Sequence, residues 1–475
     1  MEIRVLRRLL DERKAGVSEI TREYLKRIER ENQRLNCYIS VCGEEALKQA
    51  ELAQKRIDRG EQSILTGIPL AVKDNICIKG IPATCGSRML RQFVPSYSST
   101  AAERILSSGG IILGKTNLDE FAMGSSGRVS AFGAVENPAF PGYITGGSSS
   151  GSAAAVAAEL CCAALGSDTG GSVRQPAAFC GITGLKPTYG RVSRWGLIAF
   201  ASSLDHIGIL AQSPEDAGYL LDVIAGADGR DMTAANREDR DFTGRIRGDF
   251  KGAVIGLPKE FFTDQVDSEV KGAVLAAAKV YETMGAVVQE CSIPAMEYTL
   301  PAYYMLSSAE AASNLGRYDG IRYGHRSEQP GDYARLTELS RSESFGPEVK
   351  RRILLGNYGL REGFYQEYYG RAVQIRRRLT EEYERALEQC RMLLIPTTPR
   401  PPRVASETVR PVEEYQSDRF TVGINLTGLP AIAVPCGYTG DGLPVSMTLI
   451  GRRFEEREII GAAALFKEGT ADAGL

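Results

Sequence analysis

Two glycine–serine loops and one early lysine hold the residue types in this chain best suited to chemistry. The loops lie within Gly146–Pro187, GGSSSGSAAAVAAELCCAALGSDTGGSVRQPAAFCGITGLKP. The first, Gly146–Ser152, and the second, Gly166–Ser172, flank small apolar residues, Ala153–Ala164, whose composition predicts a closely packed core helix. Each loop ends where a helix can begin, which leaves backbone N–H groups free to face an anion. In the second loop a serine stands beside glycines that let the backbone approach a ligand closely. That arrangement suits a nucleophile with its oxyanion donors built in. The same loops could instead bind phosphate or merely turn the chain, although neither has the G-x-x-x-x-G-K-[ST] form of a P-loop.

A serine at its ordinary pKa is a weak nucleophile and needs a base. The chain has only 2 histidines, His206 and His325. His206 lies in a strand- or turn-like stretch, Ser203–Ile207, and His325 in a polar region; both read as surface or structural residues. A histidine-rich metal site is thereby excluded, and the base must be sought elsewhere. Lys73 directly follows the apolar strand Ile68–Val72. Such a lysine is either a rim residue with its head in solvent or a buried one whose desolvation lowers its pKa and frees its lone pair. Lys115, after Ile111–Gly114, reads as an ion-pair partner of Asp119, with a second active-site cation as the alternative.

Bulk properties narrow the field. The chain has 475 residues, 43% hydrophobic and 24% charged, with a net charge of −2. No basic surface announces nucleic-acid binding, so any nucleic acid must be gripped mainly by something else. Met1–Leu10 is too charged for the core of a signal peptide, and Glu159 breaks the longest small-apolar run. A cytoplasmic protein is expected, without membrane attachment. The 10 cysteines form no C-x-x-C pair; buried, reduced thiols are expected rather than disulfides or zinc.

The elements that must position these residues alternate. The first sixty residues read as packing helices: one with Leu6, Leu9 and Leu10 on a face, one capped by Ser18, one over Glu44–Ile57. Helix Thr100–Leu106 leads into strand Ile111–Lys115, and Asn117–Ser126 reads as a short helix into a loop. Pro214–Ala225 is a capped helix. Residues 229–251 are charged and poor in apolar side chains, a surface excursion. Strand Ala253–Leu257, helix Ser268–Met284 and strand Ala286–Val288 make a βαβ-like unit. Residues 301–391 are mostly helical, followed by strands Met392–Ile395, Ala431–Pro435 and Val445–Ile450 and a closing helix Glu455–Phe466. With no repeats and no linker, residues 1–475 read as one large α/β domain with an N-terminal helical layer, 1–60.

Lys73 in its V-K-D-N context, together with the order and length of the two loops, resembles the amidase signature family over nearly the whole chain. The resemblance implies an α/β/α sandwich around a mixed sheet. It implies a Ser–cis-Ser–Lys triad, with Ser172 as nucleophile, Ser148 as the bridging serine with the cis peptide, and Lys73 as base. The backbone N–H groups of Thr169, Gly170, Gly171 and Ser172 would form the oxyanion hole. Ser150 departs from the family, whose members commonly carry glycine there. Within the family, Asp119–Ser126 and Gly181–Pro214 are similar to the A-subunit branch of the tRNA-dependent amidotransferases. That branch implies a glutaminase whose ammonia passes to a partner that activates glutamyl-tRNA or aspartyl-tRNA. It also implies a heterotrimer with B and C subunits, tRNA held mainly by the partner, ATP and magnesium on the partner, and no cofactor on this chain. For the substrate's α-carboxylate and α-ammonium the resemblance assigns Arg352 and Asp418, with Tyr303 or Tyr304 lining the pocket. On its residues alone, Arg352 reads as a solvated helix face beside Lys350 and Arg351. A stand-alone amidase with the same triad, and a non-catalytic assembly role, are the alternatives.

Overall fold

Short, apolar, mostly fully buried segments become the strands, and the computed structural model describes residues 1–243 and 250–473. The strands are β1 (Tyr38–Val41), β2 (Pro69–Lys73), β3 (Ile111–Thr116), β4 (Ala163–Asp168), β5 (Thr183–Lys186) and β6 (His206–Ala211). They continue with β7 (Val254–Pro258), β8 (Val287–Cys291), β9 (Met392–Pro396), β10 (Ala431–Tyr438) and β11 (Pro444–Ile450). All join one 11-stranded sheet in the order β1-β3-β2-β4-β6-β5-β10-β11-β9-β7-β8. The sheet is mixed: β2 runs parallel to β3 and β4, β7 parallel to β8 and β9, and the remaining pairs are antiparallel. Helices flank it, making an α/β sandwich whose core side chains from β2, β3, β4, β6 and β9–β11 are almost wholly hidden. Local chemistry fixes several helix starts. Ser213 Oγ accepts from Asp216 N–H at 3.2 Å to open helix Pro214–Ile224, and Asp267 accepts from Glu269 and Val270 to open Ser268–Thr283. Side-chain capping of this kind contributes about 1 kcal/mol each.

Several expectations are corrected. The first sixty residues hold a strand, β1, between their helices, paired antiparallel to β3 at the sheet's edge. Ser18 is not the cap of the second helix; Gly16 is, with Glu19 reaching back to its N–H. The small-residue helix ends early, spanning Ser150–Ala157, and the chain turns into β4 from Ala163. Alanine and cysteine carry no strong period, so the neighbouring strands β2 and β6 decide where the helix stops. Asn117–Ser126 contains only one 3₁₀ turn, Glu120–Ala122, with left-handed Phe121 and Ala122 (φ 50° and 61°). Of the surface excursion, residues 229–241 are mainly exposed while Phe242 and Phe250 are buried; 244–249 lie outside the described residues. All ten cysteines are free thiols. Among the described residues no helix is long and apolar enough to cross a membrane.

Candidate active site

Parallel neighbours in an α/β sheet deliver their carboxyl ends to one edge, where such sheets hold ligands. Here β2 and β4 are those neighbours, with Val72 opposite Leu165. Lys73 ends β2, β4 runs out at Asp168 into the second loop, and the first loop opens the helix Ser150–Ala157. Lys73 is fully buried, and its Nζ stands 2.8 Å from Ser148 Oγ, 2.9 Å from Ser149 Oγ and 2.9 Å from Ser167 Oγ. The Gly147–Ser148 peptide bond is cis. Burial pulls the ammonium down to about 7, against the opposing pull of Asp119 and Asp168. An amine that sheds its proton near neutrality thus lies directly on a serine hydroxyl.

Asp168 shapes the second loop. Its carboxylate accepts from the N–H groups of Gly171 (2.8 Å) and Val173 (3.2 Å), from Arg174 Nε and Nη2 (both 3.0 Å) and from Asn425 Nδ2 (2.9 Å). Burial alone would raise its pKa, yet the Arg174 guanidinium holds it well below the usual carboxylate range. Gly171 is therefore removed from the expected oxyanion donors: its N–H is taken by the aspartate three residues earlier, a local turn interaction. The N–H groups of Thr169, Gly170 and Ser172 make no hydrogen bond among the described residues. A side chain on Gly170 would collide with the Tyr303 ring, and one on Gly171, at φ 127°, with Thr421. Ser172 is nearly buried, and its carbonyl accepts from Ser149 N–H at 3.1 Å, joining the two loops. Among the described residues no hydrogen bond runs between the Ser148 and Ser172 hydroxyls. Ser150, the departure from the family, buries its Oγ without a partner.

A second polar cluster adjoins the loops. Asp418 is buried and accepts from Tyr304 Oη (2.7 Å), Ser125 Oγ (2.9 Å) and Gln175 Nε2 (3.4 Å). Gln175 Oε1 in turn accepts from Gly147 N–H at 3.0 Å, so one side chain bridges the first loop and Asp418. Burial raises Asp418 to about 6, with the bonds from Tyr304 and Ser125 pulling the other way. Arg352 does not sit on a solvated face: it is 3% exposed, while Lys350 and Arg351 are open to solvent. Its Nε donates to Glu348 at 2.6 Å, its guanidinium packs 4.4 Å from the Tyr304 ring and 5.0 Å from the Tyr415 ring, and Nη1 is buried without a partner. Tyr303 faces the second loop at Gly170; Tyr304 belongs to the Asp418–Arg352 cluster. Both tyrosines therefore border the site, and the choice between them dissolves.

Other expectations resolve differently. Lys115 pairs with Asp74 at 3.0 Å, not with Asp119, because the β2–β3 register sets Val72 opposite Lys115 and carries Asp74 alongside. His206 is buried rather than at the surface, with Nδ1 2.6 Å from the Leu204 carbonyl and Nε2 3.2 Å from Lys186 Nζ. His325 pairs with Glu343 at 2.8 Å. Sequence reasoning missed Ser149, Ser167, Gln175, Ser125 and Tyr415 as members of the cluster. Ser149 and Ser167 lie inside the two loops; nothing local marks the others, which arrive by tertiary packing.

A fold with this sheet, and two serine loops converging on a buried lysine, has relatives. The amidase family model matches residues 19–460, and the chain belongs to that family. It is 51% identical over 453 residues to the glutamyl-tRNA(Gln) amidotransferase A subunit of Hahella chejuensis, covering 95% of this chain and 93% of that protein. With the protein of the same name from Ruminiclostridium cellulolyticum it shares 47% over 474 residues, 99% of this chain and 98% of the relative. The crystal structure of the glutamyl-tRNA(Gln) amidotransferase A subunit from Thermotoga maritima is 37% identical, with a TM-score of 0.79 over 94% of this chain and 91% of that one.

Proposed function

We propose that this chain is the glutamine-hydrolysing subunit of a tRNA-dependent amidotransferase, with Lys73, Ser148 and Ser172 as its catalytic residues. The observation that carries the reading is a lysine able to lose its charge on Ser148, set beside a buried cluster that offers one guanidinium nitrogen without a partner and one carboxylate. Free glutamine presents an α-carboxylate and an α-ammonium. Arg352, whose Nη1 lacks an acceptor, suits the first by a charge-assisted bond; Asp418 suits the second. Ser172 Oγ then attacks the side-chain amide carbon as its proton passes to Ser148 and the Ser148 proton to Lys73. The C–N bond breaks, ammonia leaves with the returned proton, and water hydrolyses the glutamyl ester to glutamate. Negative charge on the carbonyl oxygen is met by the free N–H groups of Thr169, Gly170 and Ser172; losing one such donor typically costs about 10²–10³ in rate. The Ser148–Ser172 contact closes on substrate binding, as catalytic hydrogen bonds commonly do.

In this reading ammonia passes to the B subunit of a cytoplasmic heterotrimer completed by a C subunit. The B subunit holds the tRNA and uses ATP and magnesium to convert Glu-tRNA(Gln) to Gln-tRNA(Gln); this chain itself needs no cofactor. The test is covalent trapping. A diazoketone analogue of glutamine is expected to leave its glutamyl-like adduct on Ser172, mapped by mass spectrometry, with free glutamine protecting. An adduct on another residue, with ammonia release abolished, overturns the assignment.

A further inference from the structure

One turn outside the two loops touches both halves of the site. At Asp119–Gly124 two successive non-glycine residues, Phe121 and Ala122, take left-handed backbone (φ 50° and 61°). Such conformations persist where the surrounding structure imposes them, often at functional sites. The two carboxylates that open this turn are both buried, and each reaches a different half. Asp119 donates its N–H to the Ser148 carbonyl at 3.2 Å, and its carboxylate lies under Gly147, where a side chain would collide with it. The same carboxylate accepts from Gly127 and Val129 N–H, both at 3.1 Å, holding the segment next to Ser125, which donates to Asp418. Glu120 accepts from Ser87 Oγ at 2.5 Å and, through its other oxygen, from Gly346 N–H at 2.8 Å. Gly346 is the N-cap of helix Pro347–Leu360, which carries Arg352. A carboxylate at that end complements the helix dipole and satisfies an orphan donor.

We propose that Asp119 and Glu120 are paired positioning residues, Asp119 for the Lys73–Ser148 contact and Glu120 for the helix that presents Arg352. The proposal rests on the glutaminase reading above. The charges facing Lys73 are Asp119, Asp168 and Asp205, with the Cys85 thiol; Asp119 acts most strongly. Asp119 itself faces Lys73 and Glu414, and Glu120 faces Lys350 and Arg88. Burial raises Asp119 to about 7, against the N–H bonds from Val129 and Gly127, so it titrates in the same range as Lys73. Its ionised form favours the protonated lysine, and removing it makes the lysine shed its proton at lower pH.

The two roles separate in kinetics, measured as ammonia release by the full chain co-purified with its partner subunits. Asp119→Asn lowers kcat about tenfold with KM within about twofold, and moves the acid limb of the kcat/KM profile down by about half a pH unit. Asp119→Glu, which keeps the charge but displaces it, lowers kcat with the limb unmoved. Glu120→Ala raises the KM for glutamine about tenfold with kcat within about twofold. It also erodes the preference for glutamine over its α-amide, which lacks the carboxylate. Glu120→Gln, whose amide oxygen still accepts from Gly346, restores KM. Unchanged kcat and an unmoved limb in Asp119→Asn, or a Glu120→Ala variant with unaltered KM and α-amide preference, overturns the proposal. Folding failure of Asp119→Asn leaves the decision to Asp119→Glu, where an unchanged kcat overturns it. Ser172→Ala, run alongside, keeps the two readings apart. If that variant still releases ammonia, the assignment of Ser172 as nucleophile in the glutaminase reading fails; if it is silent while the Asp119 and Glu120 variants match wild type, only the positioning proposal fails.

Discussion

Lys73 at the end of β2 and Lys115 near the end of its neighbour β3 are equally hidden from solvent, yet their surroundings differ in kind. Lys115 meets a carboxylate, Asp74 at 3.0 Å, and the Pro82 carbonyl. Lys73 meets serine hydroxyls, with its carboxylates farther off, and burial brings it to about 7. Lys186, on β5, makes a third case: buried against the His206 ring and the Pro187 carbonyl, it is pushed well below the ordinary lysine range by desolvation and by Arg174. Burial alone therefore does not mark a base. What sets Lys73 apart, and suits it to the proposed role of base, is that its partners are hydroxyls at the sheet edge where β2 and β4 end.

Replacing each lysine by methionine tests this contrast. Lys73→Met should reduce ammonia release by about 10²–10⁴-fold, the usual weight of a general base, with little loss in unfolding free energy; activity near wild type would remove Lys73 from the chemistry. Lys115→Met strands the Asp74 charge in the interior and should cost about 3–5 kcal/mol in urea unfolding. Pairing it with Asp74→Asn should recover most of that loss. For the unaltered protein, the base form of Lys73 is lost as protons bind below its pKa of about 7. The kcat/KM for glutamine should accordingly fall about tenfold per pH unit on the acid side and level off above. A profile flat from pH 5 to 8 would contradict that sign. Lys186→Met should have the smallest effect, about 1 kcal/mol for its lost hydrogen bonds, with ammonia release within about threefold of wild type.

Much of the fold can be read from sequence because most of its strands are continuous apolar runs and several helices carry capping residues at their starts. Met392–Ile395, the helix opened by Pro214 and the βαβ unit through Ser268 are all legible in this way. Tyr38–Val41 is not: four residues between two helices carry no pattern that outweighs their neighbours, and only pairing with β3 makes them a strand. The serine loops are legible through residue type and order; Lys73 is legible only through its V-K-D-N resemblance, because its place after a strand fits a rim lysine equally well. Asp74 as partner of Lys115, and Gln175 as bridge to Asp418, are not, because both depend on strand register or on packing between segments far apart in sequence. Gly171 shows the same limit at short range. A glycine there does permit close approach, but the claim of Asp168 on its N–H emerges only when the turn is built.

The guanidinium of Arg352, packed against the rings of Tyr304 and Tyr415, is fixed in both position and plane. With Asp418 and Ser172 it makes three unlike anchors around what would be a single tetrahedral carbon and its side chain. A mirror-image amino acid can satisfy any two of them but not the third. Under the proposed assignment, an arginine held flat would impose handedness on the substrate before any bond is broken, and D-glutamine should be excluded from turnover.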